Sequence, residues 1–113
     1  MEITSILNDL IDRLRASDPY KIVLFGSYAN GNETEDSDID LMVILDNNDV
    51  SKTYEERQNK KLYVRKLVRE INYRKALDIL VYSKEELKKI KEYGNYFIDE
   101  IERTGKVIYE KAS

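Results

Sequence analysis

Asp40 to Asp46 read DLMVILD, a run that is apolar at both parities. A strand of that kind needs cover on both of its faces. Lys21 to Gly26, KIVLFG, is a second short apolar, β-rich run. In a chain of 113 residues, two such strands leave helices to form the covering layers. Ile3, Ile6, Leu7, Leu10, Ile11 and Leu14 recur at three- and four-residue steps, predicting an amphipathic helix to about Arg15. The segment ASDP stops it, because Pro19 disfavours helix in the residue before it.

The polar loop NNDVSKTYEE leads into a helix over roughly Tyr54 to Tyr73, with Tyr63, Val64, Leu67, Val68 and Ile71 as its core stripe. ALDILVY, Ala76 to Tyr82, reads as a third strand. Ser83 with Glu86 forms a capping box for a helix through about Glu92. Tyr93 to Arg103 predicts a further helix with Phe97, Ile98 and Ile101 inward, Gly105 stops it, and KVIYE forms a terminal strand. The expected architecture is an α/β (α+β) fold, a small sheet flanked by helices, in a single domain spanning 1–113.

Composition narrows the chemistry. The chain has no cysteine and no histidine, which excludes disulfides, thiolate nucleophiles, Ser-His-Asp catalysis, imidazole acid–base work and ordinary zinc sites. Catalysis has to rest on carboxylates, hydroxyls, Lys/Arg, backbone dipoles or a metal held through oxygen. A net charge of -3 argues against autonomous nucleic-acid binding. No apolar run approaches ~20 residues, so a soluble cytoplasmic chain with no membrane association is expected.

The carboxylates stand out against that background. In an extended segment Asp38 and Asp40 share a direction, about 6–7 Å apart along the chain, with Asp36 at the same parity in the loop. Asp78 lies inside ALDILVY, where an ionised carboxylate is costly to bury without a partner. If its strand neighbours that of Asp40, three carboxylates converge, and each pair at ~4 Å repels by roughly 4 kcal/mol at an effective dielectric near 20. Either one stays protonated or cations occupy the centre. An all-oxygen cluster suits Mg2+, and two such ions about 3.5–4 Å apart can hold a triphosphate and activate an attacking oxygen.

The turn FGSYANG supplies a second element: Gly26 allows close backbone approach, while N–H groups from Ser27 onward and the Ser27 hydroxyl can cradle phosphate oxygens. Tyr28, within the same turn, is a candidate wall of a nucleotide pocket. Neither G-x-G-x-x-G nor a P-loop is present. Arg57, Lys61, Arg65 and Arg69 form a basic stripe, read as a solvated face pairing with Glu55, Glu56 and Glu70, or else as a surface for a triphosphate or an acidic partner.

Gly26 and Ser27, ten residues, then Asp38-x-Asp40 and a later strand aspartate, Asp78, resemble the nucleotidyltransferase superfamily of DNA polymerase beta. More narrowly, the chain resembles the minimal nucleotidyltransferases (MNT), which are antitoxin partners of HEPN-domain toxins. The resemblance implies a small mixed β-sheet flanked by helices. It implies Asp38, Asp40 and Asp78 as catalytic metal ligands, with Asp78 as general base, and Gly26 and Ser27 at the nucleotide phosphates; Tyr28 and Asn30, in the same turn, complete the expected nucleotide-binding set. Many relatives carry arginine where this chain has Asn30. The implied reaction is Mg2+-dependent transfer of AMP from ATP to a hydroxyl, a tyrosine of a cognate HEPN ribonuclease toxin, which would make the protein its antitoxin. The alternatives are a non-catalytic antitoxin that masks its partner, and transfer to a small molecule such as an aminoglycoside. A homodimer or hetero-oligomer fits either setting.

Overall fold

A computed structural model describes residues 2–112, so Met1 and Ser113 of the expected 1–113 domain lie outside the described residues. The elements in order are α1 (Ile3–Leu14), β1 (Pro19–Phe25), α2 (Ser27–Asn30), β2 (Ile39–Leu45), α3 (Tyr54–Leu67), α4 (Arg69–Arg74), β3 (Leu77–Ser83), α5 (Lys84–Tyr93), α6 (Tyr96–Thr104) and β4 (Lys106–Glu110), with a 3-10 turn at Arg15–Ser17 after α1. The strands form one mixed sheet in the order β3-β2-β1-β4. β1 is antiparallel to both β2 and β4, and β2 is parallel to β3.

The two apolar parities of β1 and β2 serve two cores, as their sequences require. On one face Ile22, Leu24, Leu41, Val43 and Ile79 meet Leu10 and Leu14 of α1, Val64 of α3, Val68 between α3 and α4, and Ile71 of α4. On the other face Val23, Phe25, Met42 and Ile44 meet Leu87 of α5 and Ile98 and Ile101 of α6. No helix among the described residues is long and apolar enough to cross a membrane.

Four local differences from the sequence reading have physical causes. The expected helix 54–73 is broken at Val68, whose dihedrals of φ -117 and ψ 17 leave the helical region and separate α3 from α4. Val64, Val68 and Ile71 still reach the core across that break, but Tyr63 is 51% exposed. Its hydroxyl donates to the Ala16 carbonyl at 3.2 Å, a phenol seated at the rim by its polar tip. The last helix starts later than expected, because Gly94 at φ +84 turns the chain and Asn95 caps α6 by accepting from the Ile98 N–H. Phe97 is 53% exposed instead of inward. It meets Phe25 edge-on, with ring centroids 6.0 Å apart.

The basic stripe is also split by the break. None of Arg57, Lys61, Arg65 and Arg69 forms an ion pair among the described residues. Glu70 pairs with Arg13 at 3.3 Å, while Glu56 closes a capping box with Thr53.

The capping box expected at Ser83 and Glu86 is present and does more than start a helix. Glu86 accepts from the N–H groups of Ser83 and Ser51, both at 2.9 Å, and pairs with Lys60 of α3 at 2.6 Å. One buried carboxylate thus joins α3, the loop after β2 and the start of α5. Burial alone would raise its pKa, yet the Lys60 and backbone N–H bonds outweigh it and hold Glu86 at about 2. A depressed carboxylate contributes stability above its unfolded value of 4.5, lost as pH falls from there toward about 2. Glu86→Ala is expected to cost about 3 kcal/mol at pH 7, since it strands Lys60 and two N–H groups. In urea denaturation that difference should shrink below pH 4.5.

Candidate active site

The candidate site lies at the end of the sheet where β1 finishes and β2 and β3 begin. Parallel pairing aligns Asp40 with Asp78, and antiparallel pairing aligns Asp40 with Phe25. Asp40 alternates in register with Met42 and Ile44, so it stands on the α5–α6 face, and Asp78 shares that face with Leu80 and Tyr82. Adjacent strands run about 4.8 Å apart, so the two carboxylates are neighbours. Asp38 sits one residue before β2, at the parity of Asp40. Asp36 is exposed in the loop.

Burial pushes the Asp40 carboxyl above the ordinary carboxylate value, and the charges of Asp78 and then Asp38 push it in the same direction. None of the three carboxylates accepts a hydrogen bond or joins an ion pair among the described residues. Two expectations need correction. Asp78 is exposed, not buried, because the helices cover β3 less fully at its start than they cover β2. Nor do the described residues contain a group of three acidic side chains already set as a metal cage. Like charges repel, and the exposed Asp38 and Asp78 are free to turn toward water. The donor set nevertheless suits a hard divalent cation: it is all oxygen, half-buried at Asp40 and, among the described residues, not paired with any lysine or arginine.

Gly26 is fixed by that same aspartate. At φ 74 and ψ -154 it occupies backbone space that only glycine adopts readily. A Cβ there would also run into the Asp40 carboxylate. Ser27 then begins α2, whose Ala29 and Asn30 N–H groups donate to the Gly26 carbonyl, both at 3.1 Å, which leaves those of Ser27 and Tyr28 without a helical acceptor. Asn30 is the exposed last residue of α2.

Tyr28 is placed differently from the expectation. Its ring packs toward the α1 side of the sheet and lines a cleft of about 670 Å³ with Ile3, Ile6, Ile71, Arg74 and Lys75. That cleft contains none of Asp38, Asp40 and Asp78. Lys75, which the sequence reading passed over, lies with its Nζ 5.3 Å from the Tyr28 ring centroid and donates to the Glu35 carbonyl at 3.0 Å. A lysine between a helix and a strand carries no signal of such contacts.

A fold of this kind, with paired carboxylates beside a glycine turn, is one that comparison with known proteins can place. The family model described as "Polymerase beta, Nucleotidyltransferase" matches residues 8–113, and the chain belongs to that family. Two proteins of Methanocaldococcus jannaschii, provisionally named protein adenylyltransferases MJ1379 and MJ0604, are 62% identical over 34 and 26 residues. These matches cover 27% and 23% of this chain, and 34% and 26% of the relatives, so only about a third or less of each relative is spanned. Among solved structures, a protein of Sulfolobus solfataricus provisionally named a nucleotidyltransferase has TM-score 0.63 at 16% identity, covering 95% of this chain and 79% of its own. A toxin-antitoxin structure solved with AMP-PNP has TM-score 0.61 at 19% identity, covering 93% and 73%. At these identities the two structures speak to the fold alone.

Two substitutions probe this geometry. Gly26→Ala should destabilise the fold by about 2–3 kcal/mol, from left-handed strain and the collision with Asp40. Chemical denaturation reads that loss, and wild-type stability would contradict the packing. Asp40→Asn should act oppositely. The fold favours the protonated form of Asp40, so ionisation costs stability as pH rises through its raised value. The amide should therefore raise the melting temperature at pH 7, with the gain vanishing as pH falls below the ordinary carboxylate value of 3.8.

Proposed function

We propose that this protein is an Mg2+-dependent nucleotidyltransferase that transfers AMP from ATP to a hydroxyl group. The observation that carries this reading is the register of Asp40 with Asp78 on adjacent parallel strands, with Gly26 packed against the Asp40 carboxylate. Asp38, Asp40 and Asp78 hold the divalent ions. When bound, those ions neutralise charge on the α-phosphate and on the departing pyrophosphate. The Ser27 hydroxyl and the N–H groups at the start of α2 bind phosphate oxygens, with Asn30 at the far end of the turn. Asp78, the exposed carboxylate, takes the acceptor proton as the acceptor oxygen bonds to the α-phosphorus and the bond to pyrophosphate breaks. The chain supplies position and charge complementarity, the terms that dominate phosphoryl chemistry.

The proposed acceptor is a tyrosine of a HEPN ribonuclease toxin, and the protein acts as the toxin's antitoxin in the cytoplasm. The adenylyltransferase names of the two Methanocaldococcus relatives and the toxin-antitoxin structural neighbour support this choice. A masking antitoxin without catalysis is the second reading, favoured by the described carboxylates' not being gathered as a cage and by Asn30 at the turn.

The test is label transfer from α-labelled ATP with Mg2+, with and without the product of the adjacent reading frame. Label should appear on that partner, and Asp38→Asn/Asp40→Asn should reduce it by at least about 100-fold while the protein stays folded. Wild-type labelling by the double variant would sink the mechanism. A partner that is silenced without label would favour masking.

A further inference from the structure

Lys75 stands where the three segments of the candidate site come together. It follows α4 directly and precedes Asp78 by three positions. Its Nζ donates to the carbonyl of Glu35, in the loop that carries Asp38, at 3.0 Å. The same ammonium lies 5.3 Å from the ring centroid of Tyr28, two residues after Gly26. Its backbone N–H donates to the Ile71 carbonyl at 2.9 Å, which fixes Lys75 to α4. Next to it, the Ala76 carbonyl accepts from the Ile39 N–H at 3.0 Å, so backbone and side chain both tie the approach to β2 to the start of β3.

Loop 31–38 has little else to hold it. Among the described residues its remaining hydrogen bonds run from the Gly31 and Asn32 N–H groups to the Ser27 carbonyl and between Thr34 and Ser37. Among the described residues, Lys75 makes the one side-chain hydrogen bond that reaches this loop from outside. We propose that Lys75 is a positioning residue, a clamp that sets Asp38 against Asp40 and Asp78 by anchoring the loop to Tyr28 and to the start of β3. It works from the α1 side of the sheet, where Tyr28 packs, and so acts through the loop without touching the phosphates. This rests on reading the three aspartates as the divalent-cation site.

The clamp and simple electrostatics give opposite signs. Removing a positive charge near a carboxylate cluster makes the cluster more negative and should strengthen cation binding. Loss of positioning should weaken it, because the cation must then order the loop itself. The experiment is titration of the full chain with Mn2+, without nucleotide, following free Mn2+ by electron paramagnetic resonance alongside thermal melting. Wild-type binding should disappear in Asp38→Asn/Asp40→Asn. Lys75→Met, which keeps the aliphatic stem, should weaken Mn2+ about tenfold with an unchanged melting temperature. Lys75→Arg should stay within about twofold of wild type, since a guanidinium can serve both the carbonyl and the ring.

Lys75→Met binding Mn2+ as tightly as wild type, or tighter, overturns the clamp and leaves the metal-site reading standing. No Mn2+ binding by the wild type overturns both. Should Lys75→Met melt early, Tyr28→Leu carries the test: it removes the ring under the ammonium, keeps an apolar side chain against the α1-side core and should weaken Mn2+ several-fold, and unchanged binding there overturns the clamp as well.

Discussion

The parallel register of β2 and β3 puts Asp40 beside Asp78, and the surrounding structure is arranged around keeping two like charges adjacent. Such a pair is unfavourable by itself, and burial at Asp40 makes it more so. It persists because β2 is one of the two inner strands of an apolar sheet whose two faces are filled independently, by α1, α3 and α4 on one side and α5 and α6 on the other. The register cannot slip by one residue to separate the charges, since every apolar side chain of β2 would then exchange faces. The cores set the register, and the register sets the carboxylates.

Glu86 shows what the fold does with a carboxylate that it uses for structure. It is 8% exposed and surrounded by donors, with Lys60 and two backbone N–H groups in contact, and its pKa falls to about 2. Asp40 moves the other way because its neighbours are carboxylates and it has no donor among the described residues. Two acidic groups at opposite ends of one sheet therefore differ by environment alone. One stabilises the fold; the other stores unfavourable charge that only an external cation, proton or positively charged ligand can relieve.

Much of this was legible along the chain. Period and parity marked the apolar faces of α1, β1, β2 and β3, because helix and strand spacing fix which side chains share a face. The capping box at Ser83 and Glu86 was readable because its geometry spans only four residues. The glycine turn and the Asp-x-Asp spacing were likewise local. Tyr63, Phe97 and the helix break at Val68 were not, since each depends on which neighbour covers it. Tyr63 has the apolar spacing of a core residue and sits at the rim because the Ala16 carbonyl is within reach of its hydroxyl.

The sequence by itself determined the inventory: carboxylates with no histidine or cysteine among them, a Gly-Ser turn, and strands that demand cover on both faces. Tertiary structure decided what meets what. It placed Asp78 in register with Asp40 yet exposed, turned Tyr28 toward the α1 side, and brought Lys75 across to the Glu35 carbonyl, forty positions away. Spacing along a chain reports only local geometry, whereas a strand's neighbour is chosen by the packing of both sheet faces at once.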